Sequence, residues 1–463
     1  MKKTILSLML MVAFLPPFTA SGQTYYDFAL AEIAGLSSNS IIRAVNQTEA
    51  VAYYETATDN RLALIDLSLN VREIKLPRNI FVRDIRVSGT NIYFCGYKVN
   101  NQLMTSNEGI IAHVSYNDFG SSVVPLTYDV IDSNYVSVLY RLAAYYEPAT
   151  QMDKIVAVGE HLYAPPATGC IGMSTPGPYI CGQRAVLECD FDPNVPAFSN
   201  HTGVYTNVNV PHLEYVDEVI ETDNYIAIVG FDKDEDAISI HPCPKGASIL
   251  SSFDTYYYYP GTEYDGLSFF HGCVMRKDTI AIASLSLNTP TPTQLFETRI
   301  RTFDLPSHKM TTSQAVYLGT DKTEPLELVY MPHYQKLVML MYFQFPPNQY
   351  NYTFLHLKPY SPVPYTAKGL YESGSRLPYT SVDRLTTTHY ISTGGDYWFM
   401  KDVTIDAAST NCYKVDNVDI NKVEIRQFVK KTFNYTPAIP GIDPKSDNLQ
   451  VIVNNAFIRC IKQ

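Results

Sequence analysis

Two tyrosine-rich stretches hold the residues best suited to contacting a ligand. They read TYYYYP at Thr255–Pro260 and QFPPNQYNY at Gln344–Tyr352. Both lie between predicted strands, so we expect them on loops with some rings exposed. A tyrosine ring offers an apolar face and one hydroxyl, which suits sugar stacking or a protein interface. The candidate ligand-binding residues are Tyr256, Tyr257, Tyr258, Tyr259, Tyr350 and Tyr352. The alternative is that they belong to edge strands and cover a sheet.

An acidic run at Phe231–Asp236 (FDKDED) is the candidate metal site. Asp232, Asp234 and Asp236 alternate in a predicted hairpin loop and can supply oxygen ligands to Ca²⁺. The run lacks the Gly and the distal Glu of an EF-hand loop, so a solvated turn is the competing interpretation. We expect no other cofactor.

Two pairs of neighbouring His and Cys are the remaining candidates for metal or thiol chemistry. His241 precedes Cys243, and His271 precedes Cys273, each with one residue between. Neither pair has the partner spacing of a zinc site, which favours ordinary buried or loop residues. The sequence contains no G-x-S-x-G, H-E-x-x-H, P-loop or G-x-G-x-x-G motif, so no catalytic residue is assigned.

The first residues predict export. Lys2 and Lys3 precede an apolar run from Ile5 to Leu15, and two prolines and several small residues follow. Because a membrane-spanning helix needs about 20 apolar residues, this shorter run is typical of a cleavable signal peptide, here residues 1–22. We expect a bacterial protein of the periplasm, cell surface or extracellular space, with no transmembrane segment after cleavage.

The composition narrows both the fold and the partners. The chain has 463 residues, of which 46% are hydrophobic, and it contains 36 Tyr, 29 Pro and 23 Gly. Tyr, Val, Ile and Thr favour strands, and Pro and Gly mark turns, so the chain is predicted to be all-β. A net charge of −11 disfavours a nucleic-acid partner, because phosphate binding needs a basic surface.

A short unit recurs along the chain. A polar turn is followed by an apolar strand that often ends in Gly, as in NIYFCG, KIVAVG and NYIAIVG. Another strand often precedes this one and opens with an apolar–charged–charged–apolar step, as in Val82–Ile85, Val216–Val219 and Val382–Leu385, and more loosely in Pro325–Leu328. The seven copies of the apolar strand, each with its polar turn residue, start at Glu49, Asn91, Lys154, Asn224, Asp278, Lys336 and His389.

Repetition of three or four antiparallel strands predicts a β-propeller of seven blades, with six or eight blades as alternatives. Tandem β-sandwich domains are the competing architecture. The unit resembles exported bacterial β-propellers of the broad kelch/WD-like type, over roughly Ile41–Val423. The kelch double glycine occurs only at Gly394-Gly395 and the WD dipeptide is absent, so the resemblance implies an architecture and no particular activity.

We therefore divide the chain into a signal peptide (1–22), a propeller (23–423) and a C-terminal segment (424–463). In the last, Phe433–Asp447 is Pro-rich and polar and predicts a linker, whereas Leu449–Cys460 predicts a closing pair of strands. A ring of blades is closed by its chain ends, so we expect this segment or Ala29–Ile42 to complete a blade.

Two functions fit these observations. The first is an exported, non-catalytic binding or scaffold protein that contacts protein or glycan through the Tyr-rich loops. The second is a carbohydrate-active hydrolase or lyase, which needs carboxylates or a His/Tyr pair converging at the propeller axis. The absence of a catalytic motif favours the first.

Overall fold

Five antiparallel sheets, two of which contain two blades each, form a closed ring of seven blades in the protein, for which the structure is a computed structural model. The structure describes residues 28–32, 40–66, 70–99, 107–132, 136–163, 181–205, 214–232, 237–248, 254–258, 271–288, 295–316, 322–345, 349–361, 365–372, 379–394, 397–402, 413–423, 429–432, 436–438, 440–455 and 457–462. The predicted signal peptide, residues 1–22, lies outside them. No helix in these ranges is long and apolar enough to cross a membrane.

The first three blades each take four consecutive strands. Blade 1 comprises β2 (Ser40–Ala44), β3 (Glu49–Glu55), β4 (Asn60–Asp66) and β5 (Asn70–Leu76). Blade 2 comprises β6 (Ile80–Ser88), β7 (Asn91–Val99), β8 (Asn107–Ser115) and β9 (Val123–Ile131), with a 3-10 turn at Tyr116–Gly120. Blade 3 comprises β10 (Val138–Glu147), β11 (Met152–Tyr163), β12 (Cys181–Asp192) and β13 (Ala197–Tyr205).

The next three blades repeat this arrangement. Blade 4 comprises β14 (Glu214–Glu221), β15 (Tyr225–Asp232), β16 (Ala237–Pro244) and β17 (Asp254–Tyr258). Blade 5 comprises β18 (His271–Arg276), β19 (Thr279–Asn288), β20 (Leu295–Asp304) and β21 (Lys309–Val316). Blade 6 comprises β22 (Lys322–Met331), β23 (Lys336–Phe345), β24 (Gln349–Leu357) and β25 (Tyr365–Glu372).

Blade 7 is completed by the other end of the chain. It comprises β26 (Tyr379–Arg384), β27 (His389–Gly394) and β28 (Tyr397–Asp402), and its fourth strand is the N-terminal β1 (Phe28–Glu32), which pairs antiparallel with β28. The first strands contact one another in ring order and β26 contacts β2, which closes the circle. The predicted β-propeller is therefore confirmed, with seven blades.

The second strand of each blade explains the nearly continuous apolar runs of the repeat. In β7, Ile92 and Phe94 pack in the core shared with blade 1, whereas Tyr93 and Cys95 pack in the core shared with blade 3. Successive side chains of a strand point to opposite faces. Because a neighbouring blade covers each face, both alternating sets must be apolar, and the sheets hide their surfaces from water only collectively.

Polar turns join neighbouring blades at the end of the ring where first and second strands connect, which we call the turn end. The Asp153 carboxylate of blade 3 accepts hydrogen bonds from Asn91 Nδ2 (2.7 Å) and the Tyr93 hydroxyl (2.6 Å) of blade 2. The Asp278 carboxylate of blade 5 likewise accepts one from Asn224 Nδ2 (2.7 Å) of blade 4. These Asn–Asp contacts account for the polar residues that open the sequence unit at Asn91, Asn224 and Asp278.

The C-terminal chain encircles the ring from outside, and we call this segment, residues 413–462, the belt. Its strands are β29 (Tyr413–Val423), β30 (Val429–Thr432), β31 (Thr436–Ala438), β32 (Ile442–Asn455) and β33 (Phe457–Lys462). β29 pairs with blades 6 and 5, β30 with blade 4, β31 with blade 3, β32 with blades 2 and 1, and β33 with β1 of blade 7. Every blade thus gains a fifth strand. The belt meets the blades from blade 6 back to blade 1, opposite to their order in the chain, and then reaches blade 7.

The belt differs from the expected linker. The stretch Phe433–Asp447, predicted to be a linker from its Pro and polar residues, contains β31 and the first part of β32. An outer strand tolerates both residue types because one side of its backbone has no partner within the sheet. Leu449 and Val451 of β32 pack against the core between blades 1 and 2. The division of the chain at residue 424 stays a prediction.

Candidate functional site

A β-bulge in the first strand of five blades places a polar residue at the same height along the axis. The pairing of first and second strands shifts between Val82 and Asp84 in β6 and between Leu139 and Arg141 in β10. The equivalent shifts precede Glu218, Glu327 and Ser381 in β14, β22 and β26. A bulge bends its strand and re-aims the side chain that follows it.

The glycine that ends the repeated apolar strand lies opposite this bulge. A Cβ atom on Gly96 would lie 1.9 Å from the carbonyl oxygen of Phe81, and one on Gly159 would lie 2.0 Å from that of Val138. Gly230 and Gly394 pair with the corresponding positions in blades 4 and 7. Only glycine leaves room for such a close backbone approach, so the recurrent Gly and the axial polar residue are two parts of one device.

Blade 5 reaches the same position without a bulge there. His271 of β18 pairs with Ala283, which is the fifth residue of β19, just as Asp84 pairs with Cys95, the fifth residue of β7. His271 therefore corresponds to Asp84, and Cys273 lies one step further along the same face.

The residues that follow the bulges, together with residues one step further along the first strands toward the turn end, form an ion-pair network across the ring. We call it the axial cluster, and its members are Arg43, Asp84, Arg86, Arg141, Glu218, His271, Glu327 and Asp383. Arg43 Nη2 lies 3.1 Å from Asp84 Oδ1 and 2.6 Å from Glu327 Oε1, so one guanidinium joins blades 1, 2 and 6. Arg86 Nη1 lies 3.1 Å from Asp84 Oδ1, and its Nη2 lies 3.4 Å from Glu218 Oε1.

Glu218 is the second centre of the axial cluster. Its Oε2 lies 3.6 Å from Arg141 Nε and 3.9 Å from His271 Nδ1, which brings blades 2 to 5 together at one carboxylate. The arginines and carboxylates of the cluster nearly balance in charge, and each carboxylate faces a cation or a backbone donor. Such pairing offsets the cost of removing the charges from water.

Carboxylates of the axial cluster also bind the inner backbone of the following blade. Asp84 Oδ2 accepts a hydrogen bond from the Leu142 N–H (3.1 Å), and Glu327 Oε2 accepts one from the Val382 N–H (2.5 Å). Asp383 Oδ2 accepts one from the Ala44 N–H (2.7 Å), across the closure between blades 7 and 1. The first strand of a blade is a sheet edge, so its N–H groups need partners from outside the blade.

Burial and charge shift the ionisation of these groups in different directions. Burial opposes ionisation of Asp84, but Arg86, Arg43 and Arg141 outweigh it and lower its pKa. Burial raises the pKa of Glu218, although Arg141 and Arg86 act against the rise. Burial, together with Arg141 and Arg43, lowers the pKa of His271 to about 3, so this imidazole is neutral at pH 7.

A second group of residues lies at the opposite end from the turns, where first strands begin, which we call the entry end. Phe81 and Tyr97 stack with their ring centroids 5.1 Å apart and an angle of 12° between planes. The Arg83 guanidinium carbon lies 5.2 Å from the centroid of Tyr97. Tyr140 of blade 3 lies nearby, since Arg141 Nη1 donates hydrogen bonds to the carbonyl oxygens of both Tyr140 (3.0 Å) and Arg83 (3.4 Å). We call Phe81, Arg83, Tyr97 and Tyr140 the Tyr97 group.

The Tyr97 group is accessible and held on rigid strands. Arg83 is exposed and the three aromatic side chains are half-buried. The Tyr140 hydroxyl donates a hydrogen bond to Glu160 Oε2 (3.4 Å), and burial and Glu160 raise the pKa of Tyr140, so its hydroxyl stays protonated at neutral pH. The Arg83 carbonyl accepts a hydrogen bond from Arg141 Nη1 (3.4 Å), which connects this group to the axial cluster.

The predicted Tyr-rich loops are strands instead. Tyr256, Tyr257 and Tyr258 lie in β17, between β16 and the belt strand β30, and Tyr350 and Tyr352 lie in β24. The loop placement was wrong because Tyr favours strands and the belt extends each sheet outward. Tyr258 is buried in the core between blades 4 and 5, and Tyr256 is half-buried with its hydroxyl 3.0 Å from His308 Nε2.

The remaining predicted candidates are dispersed. Asp232 is the last residue of β15, and Asp234, Asp236 and Tyr259 lie outside the described residues. Within the described ranges, no three His, Cys, Asp or Glu side chains are grouped so that they could hold a metal ion. The Ca²⁺ site and ligand binding by the six candidate tyrosines therefore stay predictions. His241 and Cys243 lie in β16, away from the axial strands.

The sequence contained a signal for the axial cluster that we did not assign to a site. The apolar–charged–charged–apolar steps at Val82–Ile85 and Val216–Val219, and the looser Pro325–Leu328, are the bulges that present Asp84, Glu218 and Glu327. In blade 7 the equivalent step is Tyr379–Val382, three residues before the one chosen from sequence. The Tyr97 group left no comparable signal, because its members come from separate strands.

Comparison with known proteins adds little beyond the fold. No protein-family model matches the chain. No curated protein matches it either. Among solved structures, the WD40 domain of Toxoplasma gondii coronin is 10% identical, with a TM-score of 0.36, and the match covers 85% of this chain and 86% of that one. The seven-bladed architecture follows from the strand pairing itself.

Proposed function

We propose that this protein is an exported scaffold propeller of the bacterial envelope or extracellular space, which binds a protein partner at its entry end. The observation that carries the proposal is the Tyr97 group. It combines a stacked Phe81–Tyr97 pair with an exposed guanidinium, and Tyr and Arg are the residue types enriched at the centres of protein interfaces. This group replaces the predicted Tyr-rich loops as the contact surface.

The placement of the Tyr97 group suits recognition by a preformed surface. Its side chains stand on β6, β7 and β10, whose backbones are fixed by pairing within blades 2 and 3. A site on strands of a rigid ring loses little conformational freedom on binding. The axial cluster beneath it connects blades 1 to 4 and keeps these strands in register.

The binding proposal is tested with one double variant and one control. Mature wild-type protein, Arg83→Glu+Tyr97→Ala, and Tyr146→Ala are immobilised and exposed to envelope extract. Tyr146 is 52% exposed at the turn end of blade 3, so its removal controls for loss of any accessible tyrosine. We expect proteins captured by wild type and Tyr146→Ala to be lost, by about tenfold or more, from the double variant.

The same three proteins are applied to a glycan array. Selective glycan binding lost only in the double variant would replace the protein partner by a sugar. Equal capture of proteins and glycans by all three would remove the Tyr97 group from the function. Thermal unfolding checks that each variant is folded. Export is tested separately by fractionation and N-terminal sequencing, for which we expect a mature chain starting near Gln23.

A second candidate function, a carbohydrate-active hydrolase, draws support from one observation. Asp84 and Glu218 both contact Arg86, and their pKa values shift in opposite directions, as in enzymes that divide acid and base roles between two carboxyl groups. Asp84, however, is fully buried and already accepts bonds from Arg43, Arg86 and the Leu142 N–H. Release of reducing sugar by wild type but not by Glu218→Gln would favour this candidate over the scaffold.

A further inference from the structure

The belt leaves one strand edge of unusual composition on the outside of the ring. β32 spans blades 2 and 1 and pairs inward with β9 through Ile442–Gln450 and with β5 through Val451–Asn455. Within the described ranges, no further strand pairs with its outer side. An open strand edge is a template for pairing with another chain, and native proteins usually protect it with charged residues or proline.

The other belt strands carry this protection. β29 contains Lys414, Asp416, Asp419 and Lys422, β30 contains Lys430 and Lys431, β31 contains Pro437, and β33 contains Arg459 and Lys462. The first half of β32 carries Asp443, Pro444, Lys445 and Asp447. Charge and proline therefore cover most of the outer circumference.

The second half of β32 has no such protection. Asn448–Asn455 (NLQVIVNN) contains neither a charged residue nor a proline. Val453 is 71% exposed, which makes it the most exposed large hydrophobic residue among those the structure describes, and Asn448, Gln450 and Asn454 are also exposed. Native proteins normally interrupt an uncharged, partly apolar strand edge of this length with a charged residue or proline.

We propose that this edge pairs with the same edge of a second copy of the protein, in an antiparallel twofold dimer. In a twofold contact both copies use the same segment, so a residue that faces a second residue of the partner copy is faced in turn by its own copy there. The segment must therefore be complementary to itself when read in reverse. With Val451 on the axis, Leu449 lies opposite Val453, Gln450 opposite Ile452, and Asn448 opposite Asn454. Val451 then meets its own copy and Leu449 meets Val453, the two Asn pairs can hydrogen-bond, Gln450 lies beside Ile452, and no like charges meet.

The charge pattern of β32 favours a second copy of the protein as the partner at this edge. A second copy offers a neutral edge of matching length, so the contact brings no like charges together although the chain has a net charge of −11. The contact also lies on the circumference of blades 1 and 2. It therefore leaves the entry end free, and the dimer would present two copies of the proposed binding surface.

The test uses charge substitutions at exposed positions, which leave the core intact. Sedimentation velocity of the mature chain over a concentration series should show a monomer–dimer equilibrium. In Asn448→Lys+Asn454→Lys, like charges lie opposite one another twice in each dimer, so the dissociation constant should rise by about tenfold or more. In Asn448→Asp+Asn454→Lys, opposite charges meet in the same register, and the dimer should persist.

A matched control keeps the result specific. Ser446→Lys adds one charge to the exposed half of β32 that is already charged, and should leave the equilibrium unchanged. A wild-type chain that stays monomeric at the highest concentration measured overturns the proposal. So does a Lys/Lys variant that dimerises like wild type, or a Ser446→Lys variant that dissociates equally. Because these variants do not touch the Tyr97 group, partner binding reports on the proposed function independently.

Discussion

The first strand of each blade faces the axis and the outermost strand faces the periphery, so each has a backbone edge without a partner in its own blade. At the axis, the carboxylates of Asp84, Glu327 and Asp383 accept N–H groups from the next blade, and arginines balance their charge. At the periphery, the belt supplies backbone partners instead.

The difference shows that the position of an open strand edge determines whether side chains or another backbone strand pair with it. Seven first strands surround the axis, and side chains such as Arg43 and Glu327 of non-adjacent blades meet there, so side chains of varied type pair with the inner edges and each blade contact differs. At the periphery an extra strand fits beside every blade, and its backbone can pair with any sequence. We therefore expect inner substitutions to act through particular partners, and outer ones to act mainly when backbone is lost.

Removal of the last four strands of the belt should have the largest effect. A chain ending at Gln427 lacks β30 to β33 and leaves blades 1 to 4 and the closure of blade 7 without outer partners. Since each lost backbone hydrogen bond contributes roughly 1 kcal/mol, the sum exceeds the usual stability of about 5–15 kcal/mol. We expect no cooperative thermal transition by circular dichroism. A chain ending at Asn455, which lacks β33 alone, should retain one; identical melting of both truncations with wild type would contradict this account.

Breaking one ion pair at the axis should lower the free energy of unfolding less than removal of the belt strands does, but far more than breaking an ion pair on the belt does. Asp84→Asn removes the fully buried carboxylate that Arg43 and Arg86 share, so that each arginine keeps only one of its two carboxylate partners, and should lower the free energy of unfolding by about 3 kcal/mol. Lys445→Ala breaks an exposed pair with Asp443 on the belt and should cost less than about 0.5 kcal/mol. Denaturant unfolding followed by circular dichroism measures both, and equal costs would refute the contrast.

The glycine opposite an axial bulge should be the next most sensitive position. In Gly159→Ala the new methyl group would lie 2.0 Å from the carbonyl oxygen of Val138, so the two strands must separate. We expect a loss of about 1–3 kcal/mol in the free energy of unfolding. Gly120→Ala is the control, because no atom lies within 4 Å of its added carbon. If both substitutions prove neutral, the bulge is not tightly held.

Acidification should weaken the axis by a smaller amount. The folded-state pKa of His271, about 3, lies below the ordinary value of about 6.5, so between these values the unfolded chain binds a proton that the folded chain does not. The stability from the neutral imidazole is therefore present above pH 6.5 and is lost as the pH falls. The lowered pKa of Asp84 acts in the same direction at lower pH, and the raised pKa of Glu218 acts in the opposite direction.

Substitution of His271 isolates its share. His271→Gln should reduce the slope of unfolding free energy against pH by up to about 1.4 kcal/mol per pH unit between pH 6 and 4. Denaturant titrations at each pH measure the slope. His333→Gln, an exposed position in the turn between β22 and β23, is the control and should behave as wild type. Equal slopes for all three proteins would mean that His271 does not contribute to the pH dependence of stability.

The repeat could be recognised from sequence because each blade needs the same local chemistry. An apolar second strand covered on both faces, a glycine opposite a bulge and a polar turn all leave fixed residue types, as in NIYFCG and KIVAVG. Seven such copies were enough to predict the ring. The step in blade 7 was misplaced by three residues, because Ser381 is neither charged nor apolar and the bulge precedes it.

The belt and the binding surface were not predictable in the same way. Backbone pairing along an outer strand requires no particular side chains, so Phe433–Asp447 looked like a linker although most of it pairs with blades 3 and 2. The axial ion pairs join residues far apart in sequence, such as Arg43 and Glu327, and no local pattern records such a partner. The clustered tyrosines attracted attention by number, whereas the accessible group uses single aromatic residues from three strands.

The reverse course of the belt has a consequence for the time at which the molecule becomes complete. β1, the first of the described strands, can pair only after β28 and β33 have been made, roughly 370 and 430 residues later in the chain. Until β29 to β33 have paired, every blade has an open outer side. We expect the protein to reach its final form only after release, through a slow late step governed by contacts between opposite ends of the chain.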